Sequence, residues 1–491
     1  MGEVVESSKP LWACLVSLLA IVPIVRNRRS PNVRDFWSFV AAFAKFGIVL
    51  SMLPLIRDGK VIECTLWEIL PGAPIQFRVD AMGMLFALVA STLWIVTTLY
   101  GIGYMRGLKE HAQTRFFAFF ALALSATLGV AFSANLLTLY VFYEILSLST
   151  FPLVTHHQDK EARRGGRTYL AYLLGTSVGF VLPALVYCYI KTDGNLDFSP
   201  DGALSGLLSG KEAMVLMLLL VFGFAKGGLM PFHSWLPGAM VAPTPVSALL
   251  HAVAVVKVGV FCILRVITGV LGVETLRAFD LGTVIVWIAG FTVIVSSLIA
   301  LSQDNLKRRL AFSTIGQLAY IILGASLLAP KGLTGSLMHI AMHAFGKITL
   351  FFCAGAIFVA NGRKYISQCK GLAREMPFTM TAFAIGALSV VGIPPAGGFV
   401  SKLYLVWGTM EADMYQATCF YLVSSFLNAC YFFPIIFAAF FQKPENPANG
   451  IRESHPCCVA ALCITASFTL LLFFHPGPFY WLANMMSQVV F

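Results

Sequence analysis

Long apolar stretches recur through this 491-residue sequence, and most are long enough to cross a bilayer as a helix. A chain in hydrocarbon must satisfy its own backbone hydrogen bonds, which restricts spanning segments to helices and closed barrels. Hydrophobic residues make up 58% of the chain and charged residues 12%, against about 25% charged residues in soluble domains. We therefore predict an all-α polytopic membrane protein with about fourteen spans, at 11–25, 37–56, 80–104, 116–133, 135–155, 168–190, 213–236, 243–265, 281–301, 309–329, 333–360, 378–411, 416–441 and 457–475.

Spans seven and twelve are predicted to be interrupted, the first by the glycines and prolines that follow Lys226 and the second by GIPPAGGF at 392–399. Span eleven exceeds one membrane thickness, so it is expected to break or to carry an interfacial end. The segment 58–79 is predicted to be a surface loop. Spans four to eight and nine to thirteen form two units with an odd number of spans, which makes the second unit inverted. The predicted divisions are spans one to three at 1–105, the first five-helix unit at 106–270, the inverted unit at 271–441 and span fourteen at 442–491.

Lysine and arginine are unevenly distributed between alternate loops. Twenty of them fall in the loops of one side and eight in those of the other. Because basic residues accumulate in cytoplasmic loops, we predict a multi-pass protein of a bacterial or archaeal inner membrane with both termini on the outer, periplasmic side. The same distribution accounts for the net charge of +11 without a nucleic-acid partner.

Cofactor and metal motifs are missing from the sequence. The eleven cysteines are scattered without a CxxC pair, which predicts neither an iron–sulfur cluster nor zinc. There is also no GxGxxG after a strand and no P-loop. We therefore expect no cofactor, no metal and no covalent chemistry in this chain.

The first buried ionisable residues are Glu144 in span five and Lys226 in span seven. A charge at mid-bilayer costs roughly 2.5–3.5 kcal/mol on insertion scales, so such residues usually mark an ion path. Glu144 either forms a neutral hydrogen bond to a neighbouring helix or pairs with Lys226. In the second case, movement of Glu144 would switch Lys226 between holding and releasing a proton.

Span eight carries His251 and Lys257, which are six residues apart. An ideal helix does not place them on one face, so they line one path only if the helix is distorted or water joins them. His233, within the interruption of span seven, is expected to hold its loop together.

Span eleven carries His339, His343 and Lys347 at i, i+4 and i+8, which stacks them on one face. Histidine titrates near neutral pH and exchanges protons through both ring nitrogens, as a proton relay requires. Two histidines at i and i+4 also suit a metal, but a third ligand is lacking nearby. Lys402 lies just after the interruption of span twelve. This position is similar to that of Lys226, which lies beside the interruption of span seven.

Several polar residues are left outside this path. Lys45 and Arg265 are predicted to snorkel to an interface. Three residues of span ten are expected either to hold water or to join helices: Ser313, Thr314 and Gln317. The residues predicted to transfer protons are Glu144, Lys226, His251, Lys257, His339, His343, Lys347 and Lys402.

Five motifs in order resemble the antiporter-like subunits of respiratory complex I, Mrp-type cation/proton antiporters and membrane-bound hydrogenases. They are NLLTLYVFYE, KGGLMPFHSWLPGAMVAPTPVSALLHA, DNLKRRLAFSTIGQ, HIAMHAFGK and GIPPAGGFVSK. The resemblance covers roughly 80–440, and its flanking segments are most similar to the D-type antiporter subunit. No helix is predicted after span fourteen, which argues against the largest complex I subunit, with its lateral C-terminal helix.

This resemblance implies fourteen helices in two inverted units and a hydrated proton path. It matches the proton-transfer positions of the family to Glu144 paired with Lys226, then His251 or Lys257, Lys347 and, beside the exit, Lys402. The family often has a relay residue at only one of positions 251 and 257, so which of them works here is open.

Three functions follow as alternatives. The first is a proton-translocating subunit of an Mrp-type Na⁺/H⁺ antiporter. The second is a proton-pumping subunit of a complex I-like NADH-quinone oxidoreductase or membrane-bound hydrogenase, which would make the chain part of an enzyme. The third is the membrane partner of a CO₂-hydrating complex. All three imply other membrane subunits as partners, the lipid bilayer, and protons with or without Na⁺.

Overall fold

The computed structural model describes residues 3–444 and 450–491, without the side chains of Leu250 and His251. Within this part the chain is predominantly helical. Its α-helices are α1 Lys9–Leu19, α2 Ile21–Arg26, α3 Pro31–Arg57, α4 Ala81–Gly107, α5 Gln113–Ala131, α6 Leu136–Val154, α7 Lys160–Thr176, α8 Leu182–Lys191, α9 Gly210–Gly223, α10 Trp235–Gly238, α11 Thr244–Ala248, α12 Val255–Arg265, α13 Val273–Ala278, α14 Leu281–Leu301, α15 Leu306–Ser326, α16 Pro330–Asn361, α17 Leu372–Glu375, α18 Pro377–Val391, α19 Gly397–Glu411, α20 Tyr415–Phe441, α21 Pro456–Phe474 and α22 Gly477–Val490.

Ten helical segments in the described residues are long and apolar enough to cross a membrane. They coincide with predicted spans one to six, nine, eleven, thirteen and fourteen. The other four predicted spans fall on interrupted or more polar helices: α9 with α10, α11 with α12, α15, and α18 with α19. The multi-pass helical fold is thus confirmed, while the count of fourteen and the two inverted units stay predictions.

A three-stranded sheet contradicts the loop predicted at 58–79. Strand β2 (Val61–Leu70) runs antiparallel to β3 (Ala73–Val79) and parallel to β1 (Val4–Glu6). The physical reason is that the segment is amphipathic, because alternate residues of β3 are buried against the helices. Gly72, with φ of +76°, supplies the backbone conformation that the turn between β2 and β3 requires.

Helix α16 lies at the centre of the molecule. It is a continuous helix of 32 residues, or roughly 48 Å at 1.5 Å per residue. Of the two alternatives predicted for span eleven, the break is absent and the interfacial end stays a prediction. The helix packs against α4, α15, α18, α19, α21 and α22. In the most apolar 18-residue stretch of α16, 89% of the residues are buried, against 33% in that of α3. Helix α16 is therefore surrounded by protein, whereas α3 lies at the outside of the bundle.

The chain is interrupted at both predicted places. After α9 it forms a 3₁₀ turn at Ala225–Gly227 and reaches Gly228 at φ of +72°. A Cβ atom on Gly259 of α12 would lie 2.0 Å from the Gly227 nitrogen, so this turn packs directly on the α12 backbone. The second break begins at Gly392, with φ of +89°, and ends where α19 starts.

Span eight is also distorted, between α11 and α12. A π-helical turn occupies Leu249–Val253, and Ala254 leaves helical geometry at φ of −104° and ψ of −80°. A distortion of this kind is one of the two conditions under which positions 251 and 257 could line one path.

Candidate functional site

The four lysines predicted to transfer protons all lie inside the protein. Lys226, Lys257 and Lys347 are fully buried, and Lys402 is 7% exposed. None of these amines faces the outer surface of the helical bundle. Because a buried amine needs acceptors, its partners define the site.

The Lys226 amine lies against α6. Its Nζ donates hydrogen bonds to the Tyr143 carbonyl oxygen at 2.7 Å and to the Ser147 hydroxyl at 2.6 Å. It also sits 3.0 Å from the centroid of the Tyr143 ring, within the range of a cation–π interaction. An ammonium group has three donors, so these two acceptors leave one donor for another partner.

Glu144 is half-buried on the same helix, and its Oε1 atom has no hydrogen-bond partner. Among the described residues, no basic group forms an ion pair with it. The charges of Glu144 and Lys226 nevertheless attract each other through space. The predicted pairing is therefore an electrostatic interaction without direct contact in this conformation.

Lys257 on α12 meets the histidine stripe of α16. Its Nζ lies 2.8 Å from Nδ1 of His343, and the His343 ring stacks on the His339 ring with centroids 5.6 Å apart. His339 contacts the Ser401 hydroxyl through Nδ1 at 2.8 Å and the Gln317 amide oxygen through Nε2 at 3.1 Å. An amine and two imidazoles thus form one buried line that ends beside Lys402.

Lys347 projects one turn further along α16, toward α15. It donates to the Ser313 hydroxyl at 2.8 Å and to the Leu310 carbonyl at 3.3 Å. The Tyr431 hydroxyl lies 2.9 Å from the Ser313 hydroxyl and donates to the amide oxygen of Asn428. The Lys347 amine is therefore joined to polar side chains of α20.

Lys402 occupies the second break. Its Nζ donates to the carbonyl oxygens of Val390 at 2.7 Å and Val391 at 3.0 Å, and to the Ser425 hydroxyl at 3.1 Å. Asn428 donates to the same Val390 oxygen at 3.4 Å. A hydrogen-bonded series therefore runs from Lys347 to Lys402 through α15 and α20.

Lys226 and Lys257 are not joined in this way. Within the described side chains, no hydrogen bond links the Lys226 partners to Lys257. The His251 side chain lies outside the described part of the chain, so its predicted role stays a prediction. The Nδ1 atom of His233 is buried without a partner, and this residue contacts the ring of Phe312 instead.

The snorkelling predicted for Lys45 and Arg265 is wrong. Lys45 is fully buried and donates to the Leu124 carbonyl at 2.9 Å. Arg265 is 5% exposed and forms a two-bond ion pair with Asp80, at 2.5 and 2.7 Å. The reason is that α3 and α12 turn these faces toward other helices, which satisfy both cations internally.

Most of the polar and aromatic residues around the buried lysines and histidines were not among the predicted site residues. These residues are Tyr143, Ser147, Tyr320, Ser401, Ser425, Asn428 and Tyr431. Their signal was available, since polar residues within an apolar span seldom face lipid. Asn428 and Tyr431 are also three residues apart and share a helix face. Of the span-ten residues, Ser313 and Gln317 contact the buried lysine and histidine as described.

Fold and site together define a polytopic helical membrane protein with amines and imidazoles buried in series along its centre. The model of one family, NADH:quinone oxidoreductase/Mrp antiporter, transmembrane, matches residues 133–428. The chain belongs to this family, as its motif resemblance predicted. The finer assignment to a D-type subunit stays a prediction.

Curated relatives include subunits of two kinds of complex. The chain is 35% identical over 391 residues to NADH-quinone oxidoreductase subunit N of Desulforudis audaxviator, a match that covers 78% of this chain and 75% of that protein. It is 31% identical to a subunit of a probable K⁺/H⁺ antiporter of Rhizobium meliloti, over 84% of this chain and 41% of that protein. The chain therefore spans less than half of the second relative's length.

Two solved structures share the fold over nearly the whole chain. One is the Mrp complex from Dietzia sp. DQ12-45-1b, with a TM-score of 0.84, 22% identity, and coverage of 98% of this chain and 96% of that one. The other is the membrane-bound sulfane sulfur reductase, an archaeal respiratory membrane complex, with a TM-score of 0.87, 23% identity, and coverage of 99% and 98%. At these identities the likeness concerns the fold.

Proposed function

We propose that this chain is the proton-translocating membrane subunit of a multisubunit Na⁺/H⁺ antiporter of the Mrp type. The observation that carries the proposal is the buried series from Lys257 through His343 and His339 to Lys402. Amines and imidazoles both take up and release protons, so such a series has the chemistry of a relay. Partner subunits supply the driving force and the path for Na⁺.

The proposed path has two parts. In the first, the distance between Glu144 and Lys226 controls whether the Lys226 amine keeps its proton. In the second, the proton passes from Lys257 to the α16 histidines and to Lys347, and leaves beside Lys402. Water joins the two parts next to position 251, which includes His251 in the proposed relay.

A specific observation favours a second candidate. The 35% identity to a NADH-quinone oxidoreductase subunit N supports a proton-pumping role in a complex driven by electron transfer. The same residues would move protons, and only the partners differ. The CO₂-hydrating alternative stays a prediction. In each case the proposal includes an inner membrane, outer termini and two inverted units at 106–270 and 271–441.

The test is a ΔpH dye assay in inverted vesicles that contain the intact complex. We expect Lys226→Ala and Lys347→Ala each to abolish the signal. Lys45→Ala is the matched control, because Lys45 is also fully buried but its amine binds the Leu124 carbonyl and lies over the Trp94 ring, both outside the series. Unchanged signals in both site variants, or an equal loss in the control, would contradict the relay. Mass spectrometry of the purified complex then separates antiporter from oxidoreductase partners.

A further inference from the structure

Two turns with no part in the proton path meet at one end of the helical bundle. The first joins α4 to α5 at residues 108–112, and the second follows α6 at 155–159. Both belong to the side whose loops carry more lysine and arginine. They bring together one carboxylate and three imidazoles from Glu110, His111, His156 and His157.

The Glu110 carboxylate lies at the centre of this cluster. Its Oε2 atom is 3.5 Å from Nδ1 of His111 and 3.9 Å from Nδ1 of His157. The ligand atoms of these three residues all lie within 4.8 Å of one another. A tetrahedral zinc ion with bonds of about 2.0–2.1 Å holds its ligand atoms roughly 3.3–3.5 Å apart. Small side-chain rotations would therefore close the cluster around an ion.

The orientation of His111 is that of a metal ligand. Its Nε2 lies 3.1 Å from the His156 carbonyl oxygen, which only accepts hydrogen bonds, so Nε2 carries the proton. In the neutral ring Nδ1 then presents its lone pair to the Glu110 carboxylate, an arrangement that a proton or a cation between them stabilises. Metal-binding histidines are commonly held through the other ring nitrogen in this way.

His156 provides an independent observation. Its side chain is fully buried, yet neither ring nitrogen has a hydrogen-bond partner in the part of the chain that the structure describes. Its Nε2 points toward the cluster, 3.9 Å from Oε2 of Glu110. Buried polar atoms are nearly always satisfied, so this imidazole is placed to become a fourth ligand.

The donors select the class of ion. Nitrogen donors with a single carboxylate suit Zn²⁺ and similar transition cations, whereas Mg²⁺ and Ca²⁺ prefer oxygen. The positive charge of Arg115 lies close to the site, since Arg115 donates to the His156 carbonyl at 2.9 Å, and it disfavours a bound cation. The Glu110 carboxylate lies between the imidazoles and offsets this charge. His111 is 53% exposed at its side chain, which leaves a route for the ion to enter.

We propose that Glu110, His111 and His157, with His156 as fourth ligand, form a Zn²⁺ site that ties the α4–α5 turn to the end of α6. This departs from the absence of zinc predicted by the cysteine spacing, because histidines that are distant in sequence supply the ligands. The site does not depend on the proposed function. It restrains the helix that carries Glu144.

The test uses the full chain purified in detergent and freed of metal with a chelator. Competition with a chromophoric zinc chelator is expected to give one Zn²⁺ per chain with a micromolar or lower Kd. Each of His111→Asn, His157→Gln and Glu110→Gln should weaken binding at least tenfold, since single changes at or around zinc ligands commonly cost that much. His475→Ala, an exposed histidine elsewhere, should leave the Kd unchanged, and Mg²⁺ should not compete.

X-ray absorption on the wild-type chain keeps the test decisive if a variant folds poorly. We expect nitrogen and oxygen neighbours near 2.0–2.1 Å without sulfur. The proposal is overturned by sulfur ligation, by absence of binding at micromolar Zn²⁺, or by equal binding in a His111→Asn/His157→Gln double variant that melts at the wild-type temperature without metal.

Discussion

The two helix breaks hold their lysines by different means. At the first, the Lys226 amine reaches across to another helix, where it has two acceptors on α6 and a carboxylate that attracts it without contact. At the second, Lys402 has three acceptors, two of which are the last carbonyls of α18, immediately before the break itself. Both amines also lie over a tyrosine ring, of Tyr143 and Tyr320 respectively.

This difference separates an amine whose charge depends on a nearby side chain from one that is held mainly by backbone carbonyls. The last carbonyls of a helix are unpaired within it and carry the negative end of its dipole. Three acceptors match the three donors of an ammonium group, so the backbone itself stabilises a proton on Lys402. Lys226 is held by one carbonyl and one hydroxyl, and its charge depends further on the Glu144 carboxylate, which makes no direct contact with it. We infer that conformational change acts at the first break, while the second provides a constant acceptor.

The largest expected effect comes from the contact that closes the first break. In Gly259→Ala, the added Cβ would lie 2.0 Å from the Gly227 nitrogen and 2.2 Å from the Lys226 carbonyl carbon. Backbone cannot yield as a side chain does, and overpacking costs about 1–3 kcal/mol or more, so we expect ΔpH formation to fall about a hundredfold. Gly175→Ala on α7 is the control, because no atom lies within 4 Å of its Cβ position. Full transport in Gly259→Ala would show that the break is not held by α12.

The second expected effect tests whether the charge of Glu144 controls the Lys226 amine. Glu144→Gln keeps the shape of the side chain but removes the charge near Lys226. At an effective dielectric constant of 20, a nearby unit charge changes the energy of an ammonium group by about 1–4 kcal/mol, so transport should fall on the order of thirtyfold. The melting temperature should not change, since among the described residues Glu144 makes no hydrogen bond or ion pair. Glu274→Gln, at a side chain that is 77% exposed, controls for loss of any carboxylate. Equal activity in both variants would mean that the Glu144 charge does not control Lys226, and the proposed difference between the two breaks would be wrong.

The third effect compares equivalent hydroxyls. Ser147→Ala removes one of two acceptors of Lys226, and Ser425→Ala removes one of three acceptors of Lys402. Hydrogen bonds to charged groups contribute about 1.5–3 kcal/mol, so we expect roughly tenfold lower transport in Ser147→Ala. The loss in Ser425→Ala should be smaller, because two carbonyls remain. Initial rates of dye quenching measure both, and the reverse order would mean that Lys402 is the less stably held amine.

The sequence predicted the helices, the breaks and the lysines because each leaves a local signal. Apolar length marks a span, Gly and Pro mark an interruption, and charge within an apolar run marks a buried site. It failed at the 58–79 hairpin, where short amphipathic strands among polar residues resemble a loop. It also failed at Lys45 and Arg265, whose position near helix ends suggested an interface, while the helices that satisfy them lie far along the chain.

Contacts between residues on different helices were also not predicted from the sequence. Nothing in the local sequence joins Glu110 to His157, or Lys347 to Tyr431, because tertiary packing alone brings them together. The i, i+4, i+8 stripe of α16 succeeded because one helix contains all of it. Even there, His339 and His343 stack while Lys347 turns toward α15, a difference that depends on the neighbouring helices.

The smallest expected effect concerns the side chains between Lys347 and Lys402. Tyr431→Phe removes the hydroxyl that joins Ser313 to Asn428. A neutral hydrogen bond contributes about 1 kcal/mol, so transport should fall roughly fivefold while the fold persists. Tyr100→Phe is the matched control, since its hydroxyl is equally buried and donates to the Phe352 carbonyl, outside the series. A loss confined to Tyr431→Phe would mean that the second break receives its proton through α20. An unchanged rate would leave the stacked histidines of α16 as its source, so this pair of variants decides which branch supplies Lys402.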